Sequence, residues 1–215
     1  MVKVIQANLA GGEVSDAIAA RVDIDKYKTS VYKAENFFVE VHGGLTNRPG
    51  LEYIAPAKTP STSVRLIPFE FNTTQTYILE FGNLYMRVYK DGGQVLTGSA
   101  KTITAATKAN PVVVTSSSHG FSNGDDVFIT GVVGMTELNG RFLRAASVTT
   151  HTFALTDSAG VNINSTAYTT YGSAGTAEEV FEIATPYTAA DIFELQYVQS
   201  ADVPTITHPN YEPRD

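Results

Sequence analysis

Residues 77–89 read Tyr-Ile-Leu-Glu-Phe-Gly-Asn-Leu-Tyr-Met-Arg-Val-Tyr, two stretches rich in aromatic and aliphatic side chains on either side of Gly82-Asn83. Such stretches separated by two turn-forming residues predict a β-hairpin with its turn at Gly82-Asn83. An alternating stretch precedes it from Val64 to Pro68, and Asp91-Gly92-Gly93 predicts a further turn after it. The pattern therefore predicts an antiparallel β-meander.

The composition of the whole chain favours β-structure. Hydrophobic residues make up 43% of the 215 residues, and charged residues only 17%, against about 25% in an average globular protein. Thr, Ser, Gly, Asn and Tyr take the place of the missing charges, and they suit strands and tight turns. We predict a mostly β protein, with an antiparallel meander or sandwich as its main domain.

Two segments depart from the meander pattern. Ile24, Tyr27, Val31 and Ala34 recur at helical spacing after Asp23, which predicts one short N-terminal helix. Residues 102–176 are rich in Thr, Ser, Ala, Gly and Asn, with short strands about twelve residues apart. We predict that they form a small β-barrel or sandwich inserted into a discontinuous domain of residues 1–101 and 177–215.

Candidate chemical groups are scattered. His42, His119, His151 and His208 have no metal-binding spacing, and there is no cysteine for a thiolate or a disulfide. The acidic pairs, among them Asp125-Asp126, are interpreted as solvated turn charges, and no Ser lies in a GxSxG context. These observations predict a protein that is not an enzyme and that has no cofactor and no metal.

The charge and the hydropathy limit the possible partners. The net charge is −7 without a cluster of Lys or Arg, whereas proteins that bind nucleic acid need cations gathered on one surface. No apolar stretch approaches the roughly 18 residues of a membrane span, and none has the length of a signal peptide. We expect synthesis in the cytoplasm and no membrane partner.

The outer parts of the chain resemble the N-terminal region of bacteriophage tail tubular or nozzle proteins and related tail-hub proteins. The matching stretches are residues 11–15, 21–27, 36–39, 43–50, 66–69, 77–82 and 195–202, with His208-Pro209. Within them, Gly43, Gly44, Arg48, Pro49 and Gly50 are candidates for a subunit contact or a structural turn. Pro49 fixes φ, and Gly50 is predicted to take the positive φ of a type II turn.

This resemblance implies a structural component of the virion. Such proteins are made in the cytoplasm of the bacterial host and form a homo-oligomeric ring, a hexamer by family resemblance, around a channel for DNA ejection. The implied partners are neighbouring tail and adaptor proteins, with DNA only as passing cargo. Because nozzle-type proteins are several times longer, we expect the chain to be a fragment or a shortened relative of them.

The inner segment is similar to the first catalytic cysteine half-domain of ubiquitin-activating enzymes, which recurs as an insert in phage proteins. The resemblance is carried by residues 119–125, 129–131, 135–140 and 152–155, and its turn motif consists of His119, Gly120, Phe121, Gly124, Asp125, Asn139 and Gly140. Thioester chemistry does not follow, because the chain has no cysteine. We predict that His119 caps a turn by hydrogen bonding.

Three hypotheses on function remain open at this point. The first is a structural tail component of the nozzle or hub type. The alternative is an adhesin-like binding module, in which residues 102–176 recognise a host-surface sugar or a tail fibre. The third is a hydrolase that uses a pair of carboxylates on an envelope polymer, which no other feature of the sequence supports.

Overall fold

The computed structural model describes residues 6, 8–18, 21–72 and 74–215. These residues form nineteen strands and three short 3₁₀ helices, which confirms the predicted mostly β fold. None of the helices in these residues has the length and hydropathy to cross a membrane. The chain divides into two units, residues 1–53 and 54–215.

The first unit contains two small two-stranded pairings. Its strands are β1 (Gly12–Glu13), β2 (Ser30–Val31), β3 (Phe37–Val39) and β4 (Leu45–Asn47). Strands β1 and β2 are parallel, whereas β3 and β4 form an antiparallel hairpin. We call residues 37–47 the N-terminal hairpin. Two 3₁₀ helices, Asp16–Ile18 and Asp25–Thr29, complete the unit.

The predicted N-terminal helix is shorter than its spacing suggested. It is a 3₁₀ helix that ends at Thr29, and the helical pattern through Val31 and Ala34 is wrong because β2 begins at Ser30. The carbonyl of Thr29 accepts the N–H of Gly11 at 2.8 Å, and that of Val31 accepts the N–H of Val14 at 3.0 Å. Backbone groups paired with a distant segment cannot continue a helix.

The second unit contains the other fifteen strands and a 3₁₀ helix at Thr136–Leu138. The strands are β5 (Arg65–Asn72), β6 (Gln75–Gly82), β7 (Tyr85–Lys90), β8 (Gly93–Gln94), β9 (Lys101–Thr102), β10 (Ala105–Ala106), β11 (Val113–Thr115), β12 (Asp126–Thr130), β13 (Arg141–Ala146), β14 (Thr152–Thr156), β15 (Thr176–Glu179), β16 (Glu182–Ala184), β17 (Gln196–Ser200), β18 (Val203–His208) and β19 (Tyr211–Arg214). They form sheets of five, seven and three strands.

The five-stranded sheet confirms the predicted meander, in the order β16-β7-β6-β5 with β8 beside β7. Its second turn lies at Asp91-Gly92 as expected, with φ angles of 50° and 75°. The first turn is displaced by one residue, because Gly82 pairs with Tyr85 and the turn residues are Asn83 and Leu84. A Cβ on Gly82 would lie 2.2 Å from the Tyr85 ring, so the glycine serves this contact instead of the turn.

One face of the five-stranded sheet packs into a core with the three-stranded sheet. Ile67, Leu79 and Phe81 are buried there. The partners from the C-terminal part of the chain are Tyr187, Ile192, Leu195 and Ile206. Fully burying side chains of this size contributes about 1.5–3 kcal/mol each. This core therefore holds residues 187–211 against the meander.

The outer edge of β5 is occupied by side chains of the same unit. Gln199 Oε1 accepts the backbone N–H of Glu70 at 3.2 Å, and Gln199 Nε2 donates to the Glu70 carbonyl. Pro68 has no backbone N–H to offer. An edge strand protected in this way is a poor template for pairing with another chain.

The seven-stranded sheet curls into a half-barrel around its own core. Its order is β10-β11-β14-β13-β12-β15-β9, so both outer strands come from residues 101–106. Between these strands, Ile103 N–H donates to Gly175 and Thr104 N–H to Thr115, both at 2.9 Å. Residues 101–106 thus supply the outer strand at both ends of the sheet. Of the predicted barrel and sandwich, the barrel describes this curled sheet better.

The two segments that connect the five-stranded sheet with the seven-stranded sheet lie side by side. Leu96 and Val180 form an antiparallel bridge, and Thr97 N–H donates to the Glu179 carbonyl at 2.9 Å. Adjacent entry and exit segments are what an inserted domain requires. The boundaries 102–176, and the grouping of residues 1–101 with 177–215, stay predictions.

We expect Gly82→Ala to destabilise the protein by about 1–3 kcal/mol, because the new methyl group must displace the Tyr85 ring. Gly93→Ala is the matched control in the same sheet, since its Cβ would meet only the Lys90 carbonyl oxygen at 3.8 Å. Urea unfolding of the two variants measures the difference. Equal midpoints would show that the Gly82–Tyr85 contact is not required.

Candidate functional site

A buried arginine connects the two larger sheets. Arg87 on β7 is 2% exposed, and its Nη2 donates to Asp126 Oδ2 on β12 at 2.7 Å. Its Nε donates to Glu182 Oε2 on β16 at 3.0 Å. Glu182 is the cross-strand partner of Arg87 in the five-stranded sheet. The guanidinium therefore joins its own sheet to the outer surface of the curled sheet.

A second arginine completes the pairing of Asp126. Arg144 lies opposite Asp126 on β13, and its Nε donates to Asp126 Oδ1 at 2.9 Å. The same side chain donates from Nη1 to the Ser158 carbonyl at 3.1 Å and from Nη2 to the Lys58 carbonyl. The Lys58 ammonium group pairs in turn with Glu182. We call Lys58, Arg87, Asp126, Arg144 and Glu182 the buried ion network after Arg87 and Asp126, which are buried, whereas the other three side chains are partly exposed.

Two tyrosines and a glutamate border this network on the same face of the meander. Glu80 is 3% exposed and accepts hydrogen bonds from Tyr85 Oη at 2.8 Å and Tyr89 Oη at 2.6 Å. Burial, followed by the hydrogen bond to Glu80, raises the pKa of both tyrosines well above the ordinary range. Arg87 also lies 5.3 Å from the centroid of the Tyr85 ring, a cation–π contact.

The electrostatics of the buried ion network suit a structural joint. Burial by itself would lower the pKa of Arg87, but the hydrogen bond and charge of Asp126, together with Glu182, raise it. Each oxygen of Asp126 accepts from an arginine. Buried charges that are paired in this way cost several kcal/mol to separate. The arrangement holds the two sheets in one orientation.

The interpretation of Asp125-Asp126 as solvated turn charges is wrong for Asp126, which is 8% exposed and paired with two arginines. The sequence carries a partial signal of the network. Glu80 and Arg87 are charged residues inside otherwise apolar strands, and the hairpin brings them opposite each other. Nothing in the sequence indicated the distant partners Asp126 and Glu182.

The predicted turn cap at His119 is confirmed. His119 Nδ1 accepts the N–H of Phe121 at 3.1 Å, and the imidazole is buried 5.0 Å from the ring centroids of both Phe121 and Phe153. Asp125 Oδ2 accepts the N–H of Ser122 at 2.6 Å. Gly120 and Gly124 take positive φ angles of 79° and 98°. These motif residues shape the turn before β12.

The other half of the motif shapes the connection after β12. Asn139 Oδ1 accepts the N–H of Val132 at 2.8 Å, and Asn139 Nδ2 donates to the Val132 carbonyl at 2.9 Å. Gly140 follows with a φ of 72° and donates its N–H to the Ile129 carbonyl at 2.8 Å. The motif residues thus serve two separate turns.

The candidate residues of the first unit lie in and after the N-terminal hairpin. Gly43, with a φ of 93°, and Gly44 form its turn, in which Glu40 N–H donates to the Gly44 carbonyl at 2.9 Å. Arg48 N–H donates to the Asn36 carbonyl at 2.8 Å, and its side chain makes no ion pair with the described residues.

The predicted type II turn at Pro49-Gly50 is wrong. Positive φ angles in this stretch occur at Asn36 and Gly43, with values of 61° and 93°, and not at Gly50. The chain already reverses at residues 40–44, between β3 and β4. It therefore needs no second reversal immediately after Asn47, and Pro49 and Gly50 are exposed.

An apolar cleft of about 460 Å³ lies between the five- and three-stranded sheets. Its walls include Phe69, Met86, Ile183 and Pro204, and Arg214 lies among its lining residues. Thr185 and Tyr187 are also lining residues, but their hydroxyl oxygens are buried out of reach of solvent and have no hydrogen-bond partner among the described residues. Buried hydroxyls without partners are uncommon, and each one calls for an explanation.

No group of three or more His, Asp or Glu side chains is placed to hold a metal ion within the part of the chain that the structure describes. His208 has two carboxylates near its Nε2, those of Glu194 at 3.6 Å and Asp191 at 4.0 Å. Its Nδ1 accepts the N–H of Asn210 at 3.1 Å. Like His119, this histidine closes a local turn with Nδ1.

We expect Arg87→Met to destabilise the protein by about 3–5 kcal/mol, because the buried carboxylate of Asp126 would lose one of its two arginine partners. Lys90→Met on the same strand is the matched control, since its pair with Asp91 is a surface contact of 3.8 Å worth at most about 1 kcal/mol. Urea unfolding compares the two. Similar losses would contradict the role assigned to the buried ion network.

Asn139→Asp should cost about 1–3 kcal/mol, because it replaces the donor to the Val132 carbonyl with a second acceptor. Asn164→Asp is the control, since Asn164 uses only its Oδ1, as an acceptor from Thr166, and the carboxylate preserves that function. Thermal unfolding of both variants is the measurement. A loss at Asn164 as large as that at Asn139 would argue against the bidentate role of Asn139.

Comparison with known proteins bears on the inserted domain. Residues 109–180 match the family model of the ubiquitin-activating enzyme E1 FCCH domain, which confirms that part of the predicted resemblance. No curated protein matches the chain. The family match covers about a third of the chain, and the tail-protein resemblance of the flanking residues stays a prediction. The chain thus contains a segment similar to the E1 FCCH domain within a larger β protein.

Proposed function

We propose that the chain is a structural subunit of a bacteriophage tail, of the nozzle or hub type, that assembles into a ring around the DNA passage. The observation that carries this proposal is the exposure of apolar side chains in residues 1–53. Among the described residues of that unit, Ser30 is the only buried one. Val41 is 91% exposed and Leu51 87%.

The described residues of this unit bury no apolar side chain and therefore offer little to offset its conformational entropy. Folding of each residue costs about 1–2 kcal/mol of backbone entropy, and apolar burial is the main term against it. Contiguous apolar patches on proteins mark surfaces for partners. Contact with a neighbouring subunit would supply the missing burial, as assembly into a ring requires.

The charge of the chain is compatible with this role. A net charge of −7 without a basic cluster suits the wall of a channel that DNA passes through without being held. In a ring, each subunit uses two different surfaces for its two neighbours. The other implied partners are adjacent tail and adaptor proteins, and the implied location is the virion.

The segment similar to the E1 FCCH domain would be a rigid attachment to this ring. Paired chain passages and the buried ion network join it to the meander. A domain held in one orientation can project from each subunit in the same way, as a decorating module does. This role needs no catalytic group.

Light scattering tests the proposal on the chain and on any longer reading frame that contains it. We expect a mass of several subunits for each form, where one subunit of the 215-residue chain weighs 23.1 kDa, with six copies implied by the family resemblance, and closed rings in electron micrographs. Monomers of both forms at concentrations well above micromolar would overturn the proposal. The hypothesis to test would then be that residues 102–176 bind glycans or tail fibres.

A further inference from the structure

We infer that His208 is a pH-sensitive switch for β19, the last strand of the three-stranded sheet. Its neutral imidazole holds the turn between β18 and β19, and its protonation releases β19. The switch lies within the larger unit of a single chain, so it does not depend on the proposed ring.

The hydrogen bond at Nδ1 defines the protonation state of His208. Nδ1 accepts the N–H of Asn210 at 3.1 Å, so the proton of the neutral ring lies on Nε2. The side chain is 0% exposed. An imidazolium donates from both nitrogens, and its Nδ1–H would point at another donor. Protonation therefore requires the turn between β18 and β19 to open.

Two carboxylates favour the protonated ring. Nε2 lies 3.6 Å from Glu194 Oε2 and 4.0 Å from Asp191 Oδ1, and it has no hydrogen-bond partner among the described residues. Hydrogen bonds from Thr188 lower the pKa of the Asp191 carboxyl, and the hydrogen bond from Tyr211 adds to this effect. Asp191 therefore stays ionised between about pH 5 and 8, where a histidine changes its charge.

The tyrosines around the imidazole do not titrate in this range. The ring centroids of Tyr187 and Tyr211 lie 6.2 and 5.0 Å from that of His208. Burial raises the pKa of Tyr187, against the opposing charge of Arg214 on β19, and the hydrogen bond to Asp191 raises the pKa of Tyr211. Both phenols are therefore neutral, and they leave the response to the imidazole.

The two carboxylates stay beside the imidazole when β19 leaves. Asp191 and Glu194 belong to the segment before β17, in which the Ile192 carbonyl accepts a hydrogen bond from Arg65 Nη1 at 3.0 Å. The imidazole itself follows the part of β18 that is paired with β17. The carboxylates thus attract the imidazolium before and after release, whereas the hydrogen bond at Nδ1 exists only before it. Proton uptake and release of β19 are therefore coupled.

β19 is attached less extensively than β17. Its pairing with β18 consists of Ile206 with Arg214 and His208 with Tyr211, with an irregularity between them. Tyr211 Oη also donates to Asp191 Oδ2 at 2.8 Å. β19 is therefore the strand that opening of its turn can release. Because Arg214 lines the apolar cleft, this release would widen the cleft.

His119 has the same contact at Nδ1 but different surroundings. Its Nδ1 accepts the N–H of Phe121 at 3.1 Å, and its ring lies against those of Phe121 and Phe153. It forms no ion pair with a carboxylate in the part of the chain that the structure describes. A charge buried there would lack the compensation that is present at His208. The turn at Phe121 is therefore an internal reference.

Hydrogen exchange of the full chain between about pH 8 and pH 5 tests the switch. We expect the protection factors of the β19 amides to fall by up to about tenfold per pH unit once His208 takes up its proton, which is the limit for one coupled proton. The amide of Phe121 should keep its protection.

His208→Asn should abolish the pH dependence of β19. An asparagine Oδ1 can accept the N–H two residues further on, which preserves the turn without a group that titrates. His151→Asn is the matched control, because His151 is exposed and its Nδ1 accepts the N–H of Ser118 at 3.2 Å. This variant should retain the pH dependence of β19.

A second measurement needs no variant that alters the turn. Nitrogen NMR of the imidazole distinguishes the two neutral tautomers, and we expect the proton of His208 on Nε2 at about pH 8. A proton on Nδ1 would contradict the switch. Unchanged protection of β19 down to pH 5, or the same loss in His208→Asn as in the unmodified chain, would also overturn it. A parallel loss at Phe121 would show general acid unfolding instead of release of one strand.

Discussion

The pairing of Arg87 with Asp126 is the interaction on which the arrangement of the larger unit depends. It joins side chains on two sheets, both almost inaccessible to water, so a small shift of the sheets that broke the pair without admitting water would leave a buried charge poorly compensated. Cross-strand register supplies the other partners, with Glu182 opposite Arg87 and Arg144 opposite Asp126. These charge-assisted hydrogen bonds form together only in the observed orientation of the two sheets, which they therefore favour.

The register that places Arg87 correctly depends on Gly82. If the turn had been at Gly82-Asn83, Arg87 would lie opposite Ile78, still on the same face of the sheet. The observed turn at Asn83-Leu84 puts it opposite Glu80 instead. The alternation of side chains therefore predicted the face, but the choice of partner came from the Tyr85 ring, which packs where only a glycine leaves room.

Local patterns predicted much of the fold and part of the candidate site. The meander, the Asp91-Gly92 turn and the cap at His119 depend on residues that are neighbours in sequence, and the structure confirms them. The contacts that the sequence did not reveal join distant residues. Asp126 lies 39 positions from Arg87. The helix expected through Ala34 does not form, because the carbonyls of Thr29 and Val31 pair with residues 11–14 instead. Tertiary hydrogen bonds override a helical spacing that has no core to support it.

The two units differ in whether their strand edges are covered and their apolar side chains buried. In the larger unit, Gln199 occupies the edge of β5, and residues 101–106 cover both edges of the curled sheet. The N-terminal hairpin has no comparable protection among the described residues, although Phe37 and Phe38 are exposed beside its open edges. Proteins protect strand edges against unwanted pairing. Within the described residues, the N-terminal hairpin thus differs from β5 in having no side chain paired to the backbone of its open edges, because its tight turn leaves only three residues in each strand.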